Sequence, residues 1–263
     1  MKKLTYILLF LCFACNSSDD ADTSTFEVSV TQSTTSLVVD QILTLTATAN
    51  EKINQISFSK DGGETFDSEF SSSTFDTTVN LYLDFDTLGP KTIIYRVKNS
   101  AGDVVDNIVS VTVERGNAVQ LLSVKLNSFF DMGNTWDSEY ATTDPNHLAD
   151  VFFGVLKPRL NFLDGTRSRV PSSSWLWYRS QTRENENDLS WNLQNEELFI
   201  NVSELTAYIA FADDDGGNIA QDIMLGPPFQ SLIPLSNYIN SKPGTITVKE
   251  THINLEYVIG LDW

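Results

Sequence analysis

Apolar residues alternate with polar ones through the first half of the chain. Phe26, Val28 and Val30 begin the pattern, and Leu43, Leu45, Ala47 and Ala49 repeat it. Ile56 and Phe58 follow, then Val79, Leu81 and Leu83, then Ile93, Tyr95 and Val97, and finally Val109, Val111 and Val113. A period of two belongs to a strand with one buried face, and no helical period competes with it. Lys60-Asp61-Gly62-Gly63 and Asn99-Ser100-Ala101-Gly102-Asp103 mark turns between successive runs. Beyond Glu114-Arg115-Gly116-Asn117 the composition shifts, and all five tryptophans lie in this second half. Strand-like runs there cover 119–126, 151–156, 175–178, 189–193, 205–212, 245–249 and 253–261. The pattern predicts an all-β protein with two antiparallel β-sandwich domains, at residues 25–115 and 118–263.

The N-terminus carries different information. Lys2 and Lys3 precede a short apolar run from Leu4 to Phe13. Such a run is too short for a spanning helix, which takes about 17–25 residues, and reads as a secretory signal. Ala14-Cys15 closes it, and Asn16-Ser17-Ser18-Asp19-Asp20 comes next. This resembles the lipobox of bacterial lipoproteins, with Cys12 where leucine is usual at the −3 position; an ordinary cleaved signal is the alternative. The resemblance implies a signal peptide over 1–14, lipidation of Cys15, a flexible tether over 15–24 and attachment to the outer membrane. The acidic run after Cys15 is similar to export signals of surface lipoproteins in Bacteroidetes, with periplasmic display left open. Cys12 and Cys15 are the only cysteines, so a body processed in this way has no disulfide and no thiolate metal site.

Charge narrows the partners. The net charge is −18, and loss of Lys2 and Lys3 with the signal takes it to about −20. A surface of this sign disfavours nucleic acid and attracts divalent cations.

Two resemblances bear on the domains. "SFSKDGGETF" and "YRVKNSAGDVVDNIVSVTV" resemble bacterial immunoglobulin-like domains of the polycystic-kidney-disease type, over about residues 24–115. The expected role is a stalk. The second domain holds two acidic stretches, "FFDMGNTWDSEYATTDPNHLADVFFGVL" and "LTAYIAFADDDGGNIAQDIMLG". Both resemble the calcium-binding loops of C2-type domains, and "GNTWD" followed by Asp-aromatic resembles the C2-like domains of bacterial lipoproteins. The likeness implies Asp131, Asp150, Asp213, Asp215 and Asp222 as calcium ligands, with Asp137 and Asp144 in reserve. Physical chemistry points the same way. Ca²⁺ takes six to eight oxygen ligands, and alternation along a strand puts Asp213 and Asp215 on one side and Asp214 on the other. Solvated acidic turns are the alternative, because Asp and Gly favour turns without any metal.

No phosphate loop, dinucleotide fingerprint or nucleophile elbow is present, and His147 and His252 are the only histidines. The expectation is therefore not an enzyme. It is a cell-envelope binding or adhesion lipoprotein whose extracellular ligand is a protein, a glycan or an anionic lipid. The alternatives are a structural envelope component and a glycan-capture accessory with no metal requirement. "SSSWLWYRSQTR" bears on the last: Trp175 and Trp177 are expected on one strand face and Tyr178 on the other, either as core or as an aromatic platform near Arg179 and Arg183.

Overall fold

A computed structural model describes residues 25–67, 69–167, 174–216, 220–225 and 229–263. The signal, Cys15 and the tether lie outside the described residues. No helix among them is long and apolar enough to cross a membrane.

Eight strands form the first unit: β1 (Val28–Gln32), β2 (Ser36–Val38), β3 (Leu43–Ala49), β4 (Ile53–Ser59), β5 (Phe70–Ser71), β6 (Thr78–Leu83), β7 (Gly89–Asn99) and β8 (Val104–Glu114). One sheet has the order β1-β3-β6 and the other β2-β8-β7-β4-β5. Pairing is antiparallel except that β2 runs parallel to β8. The chain thus changes sheets between β1 and β2, and hairpins alternate with crossings between sheets, as in an immunoglobulin-type sandwich. The alternating residues face one another across the gap: Leu43, Leu45 and Ala47 from β3 share a core with Ile93, Tyr95 and Val97 from β7.

Ten strands build the second unit: β9 (Val119–Ser128), β10 (Val151–Pro158), β11 (Ser174–Arg179), β12 (Ser190–Asn192), β13 (Phe199–Ile200), β14 (Tyr208–Asp213), β15 (Gln221–Asp222), β16 (Ser231–Leu232), β17 (Thr245–Glu250) and β18 (Leu255–Asp262). One sheet runs β12-β9-β18-β17 with β13 also on β9; the other runs β11-β10-β14-β15 with β16 also on β14. Aromatic rings join the two layers. Phe153 meets Trp191 edge-on at 5.1 Å, and Phe211 meets Tyr257 at 5.4 Å. Burial of each such side chain contributes about 1.5–3 kcal/mol before the entropy of ordering is set against it.

The two sandwiches are packed directly on each other. Lys157 on β10 extends its ammonium to Asp40 Oδ1 at 2.8 Å and to the Phe199 carbonyl at 2.8 Å. Asp40 is 2 % exposed and Lys157 8 %. Asn201 donates its backbone N–H to Asp40 Oδ2 and its side-chain amide to the Val39 carbonyl. Arg167 pairs with Asp84 at 2.5 Å and donates to the Asp40 carbonyl. Phe162 packs edge-on against both Phe58 and Phe70, and Phe199 is buried in the first core. Burial pushes the Asp40 carboxyl up and the Lys157 ammonium down, each partly countered by the other.

His252 sits in a 3₁₀ turn, Thr251–Ile253, that connects β17 to β18. One local expectation needs correction. Trp175 and Trp177 do not share one environment. The register of β10 against β11 shifts, so that Val155 faces Tyr178 and Leu156 faces Leu176. The bulge places an extra residue at Trp177 and breaks the alternation. Trp177 and Tyr178 both pack against the second core, whereas Trp175 stays 57 % exposed.

Candidate metal centre

Strand register gathers the acidic segments at one end of the second sandwich. Val151, at the start of β10, pairs with Asp213 at the end of β14. Ser128, at the end of β9, pairs with Glu256, and Ser190 pairs with Lys125. The loop 129–150, the loop 180–189, the segment after Asp213 and the 251–254 turn therefore meet at one pole. Lys157 and the interdomain junction lie at the other end of β10, about 20 Å away at ~3.4 Å per strand residue.

The loops at this pole are tied together through backbone groups. Asp150 donates its N–H to Asp213 Oδ1 at 2.6 Å, and its carbonyl accepts from Asp214 N at 2.9 Å. Asn185 N donates to Asp150 Oδ1 at 2.7 Å. The His147 carbonyl accepts from the N–H groups of Trp136 and Asp137, which turns Asp137 inward. Gly133 adopts φ 81°, a left-handed conformation that glycine tolerates, and its N–H meets the Glu186 carboxylate at 3.1 Å.

Within this frame Asp137, Asp213 and Asp215 each place an oxygen within 4.8 Å of the others. Asp213 is the inner member, 1 % exposed, and its Oδ2 is buried with no hydrogen-bond partner among the described residues. An unpartnered buried carboxylate oxygen is costly, and like charges beside it add to the cost. Burial first, then the charges of Asp137, Asp215 and Asp150, push the Asp213 carboxyl up to about 6. Asp137 is raised for similar reasons, burial leading and Asp150 next.

The other expected residues, Asp131, Asp150, Asp222 and Asp144, fall outside this set. Asp150 is outside the trio but its charge reaches both Asp137 and Asp213. Asp131 occupies an exposed turn at φ 55°, and its Oδ1 accepts from the Asn134 amide. Asp222 lies opposite Ala212, and its Oδ1 accepts from Met224 N. Asp144 caps the 3₁₀ turn Pro145–His147. Asp214 faces away: it pairs with Arg179 at 2.8 Å and accepts from Thr182, and these contacts hold its carboxyl low. Glu186 is a neighbour that periodicity did not single out. It enters the pole because Asn185 and Glu186 both take left-handed backbone angles.

All donors here are carboxylate or carbonyl oxygens, which suits a hard cation such as Ca²⁺ rather than a soft metal. Without a cation the raised Asp213 pKa has a definite sign. A proton is held more tightly in the folded chain than at the ordinary 3.8, so this contribution is complete below pH 3.8 and is lost as pH rises through about 6. Metal-free protein should therefore gain on the order of 2–3 kcal/mol from this group between pH 7 and pH 4. Asp106 and Asp214, held low by their partners, oppose it only under stronger acid. Thermal melts in EDTA from pH 4.5 to 7.5 measure the slope; a midpoint that climbs with pH would contradict it.

No family model matches the chain, and no curated protein matches it. Among solved structures, fibronectin(III)-like modules of Clostridium thermocellum CbhA are similar over 73 % of this chain and 89 % of that one. The identity is 13 % and the TM-score 0.26.

Proposed function

We propose that this protein is a cell-envelope lipoprotein, anchored through Cys15, whose C-terminal sandwich is a C2-like, calcium-binding, non-enzymatic binding module. The observation that carries the reading is the Asp213 carboxylate: its Oδ2 is buried without a hydrogen-bond partner among the described residues, and one of its oxygens lies within 4.8 Å of oxygens from Asp137 and Asp215. A Ca²⁺ ion there would satisfy that oxygen and remove the repulsion among three carboxylates. Asp137, Asp213 and Asp215 would hold it, with Asp150 adjacent; Asp131 and Asp222 are the outer ligands implied by the C2 resemblance. The ion would order the 129–150 loop against β14 and offer its remaining coordination positions to an anionic group of an extracellular ligand. The immunoglobulin-like unit packs at the opposite end, so the pole faces away from the domain that follows the tether.

Calorimetric titration of the full chain with CaCl₂ tests the site. A single exothermic or endothermic transition with Kd of roughly 10⁻⁴–10⁻³ M is expected, accompanied by a higher melting temperature. Neither heat nor stabilisation at 10 mM calcium, or about ten to a hundred times that Kd, would remove the reading.

A further inference from the structure

The junction between the sandwiches encloses a second feature, unrelated to the acidic pole. A cleft of about 510 Å³ opens between the β4–β5 region of the first unit and the β10–β11 edge of the second. That volume falls within the roughly 300–1,000 Å³ of small-molecule sites. We infer that this cleft binds a neutral oligosaccharide.

Most of the apolar lining is aromatic. Trp175 and Leu176 stand on the edge strand β11, more than half exposed, at the mouth. Phe70 and Phe85 form the facing wall. Large apolar side chains left in water at a concave edge mark an interaction site more often than chance exposure does.

The polar part is held in place yet has capacity to spare. Asp86 accepts from Trp177 Nε1 through Oδ2 at 2.5 Å, which fixes the carboxylate and leaves Oδ1 without a partner among the described residues. Arg159 stacks its guanidinium on Trp175 at 4.1 Å, and none of its five N–H groups has a hydrogen-bond partner among the described residues. Asp67 likewise offers a carboxylate at the rim.

Charge selects the class. Lys157, at the base, is neutralised by Asp40, and Arg167 nearby is paired with Asp84. Arg167 stands outside the lining, whose four carboxylates and three cations leave a single net negative charge; with these two pairs set aside, Asp67 and Asp86 face Lys60 and Arg159. Neither a polyanion nor a cation gains from it. A pyranose suits it: its C–H face packs on an aromatic ring, while its hydroxyls both donate to carboxylates and accept from a guanidinium.

The test uses the full chain and a defined panel of neutral hexaoses: maltohexaose, cellohexaose, laminarihexaose, xylohexaose and mannohexaose, with polygalacturonate as the acidic control. Saturable binding of at least one neutral member is expected, with Kd between about 1 µM and 1 mM. Trp175→Ala and Arg159→Ala should each weaken it about tenfold or more, with unchanged melting curves because Trp175 projects from the edge. EDTA should leave binding intact, since the cleft and the carboxylate pole lie at opposite ends of β10; this separates failure here from failure of the calcium site. Binding by no neutral hexaose, binding of polygalacturonate alone, or wild-type affinity in Trp175→Ala would overturn the inference.

Discussion

Asp213→Asn should make the metal-free protein more stable and the calcium-loaded protein less stable than the parent. In EDTA at pH 7 the parent carries a buried carboxylate against Asp137 and Asp215. The amide keeps the acceptor for Asp150 N, removes the buried negative charge and puts an N–H donor in place of the Oδ2 that has no partner among the described residues. A gain of about 1–2 kcal/mol is expected, roughly half of what the elevated Asp213 pKa represents. In 10 mM calcium the order reverses. A ligand at ten to a hundred times its Kd adds about 1.4–2.7 kcal/mol to the parent, which the amide variant forgoes, so the reversal is largest for a Kd near 10⁻⁴ M. Paired melts in EDTA and in calcium read both signs. A variant that is weaker in both conditions would mean that Asp213 only caps the Asp150 amide, and the metal reading would fail.

Lys157→Met should have the largest effect on stability of any single change at the junction. It removes the ammonium that faces Asp40 and leaves a carboxylate buried between domains, with Asn201 N–H and the more distant Arg167 as its remaining support. Breaking one side of a buried pair costs about 3–5 kcal/mol. For a chain of this size that is a drop on the order of 10 °C in melting temperature. Lys157 Nζ also lies 3.6 Å over the Trp177 ring, so a cation–π contact is lost with the charge while methionine retains the packing of the stem. The double variant Asp40→Asn/Lys157→Met should recover much of the loss, because no charge is then stranded; asparagine also tolerates the left-handed backbone at position 40 (φ 62°). Equal losses in the single and double variants would show that the charge pair is not what joins the domains.

The junction changes the expected part played by the first unit. A stalk of period-two strands is legible in the sequence, but Phe199 from β13 is buried in its core, and Arg115 ties the connector to Asp262 near the C-terminus. The first sandwich is thus half of a continuous packed body and supplies one wall of the cleft.

What the sequence determined by itself is local. Alternation at Leu43, Leu45 and Ala47, or at Val109, Val111 and Val113, dictates a strand with one buried face wherever the strand ends up, because side-chain direction reverses at each residue. The opposed directions of Asp213 and Asp214 follow from the same rule: one carboxylate enters the pole and the other reaches Arg179. Tertiary structure decided what depends on residues far apart in the chain. Asp137 reaches Asp213 only because the His147 carbonyl folds the long loop back on itself. Trp177 turns inward only because β11 bulges against β10, a misfit of two strands that neither displays alone. Asp40 and Lys157 are more than a hundred residues apart and look like ordinary surface charges until the sandwiches close on them. Periodicity records how one strand faces its layer. Which carboxylates share a cavity is set by the packing of layers and loops, and that packing leaves no repeat in the sequence to be read.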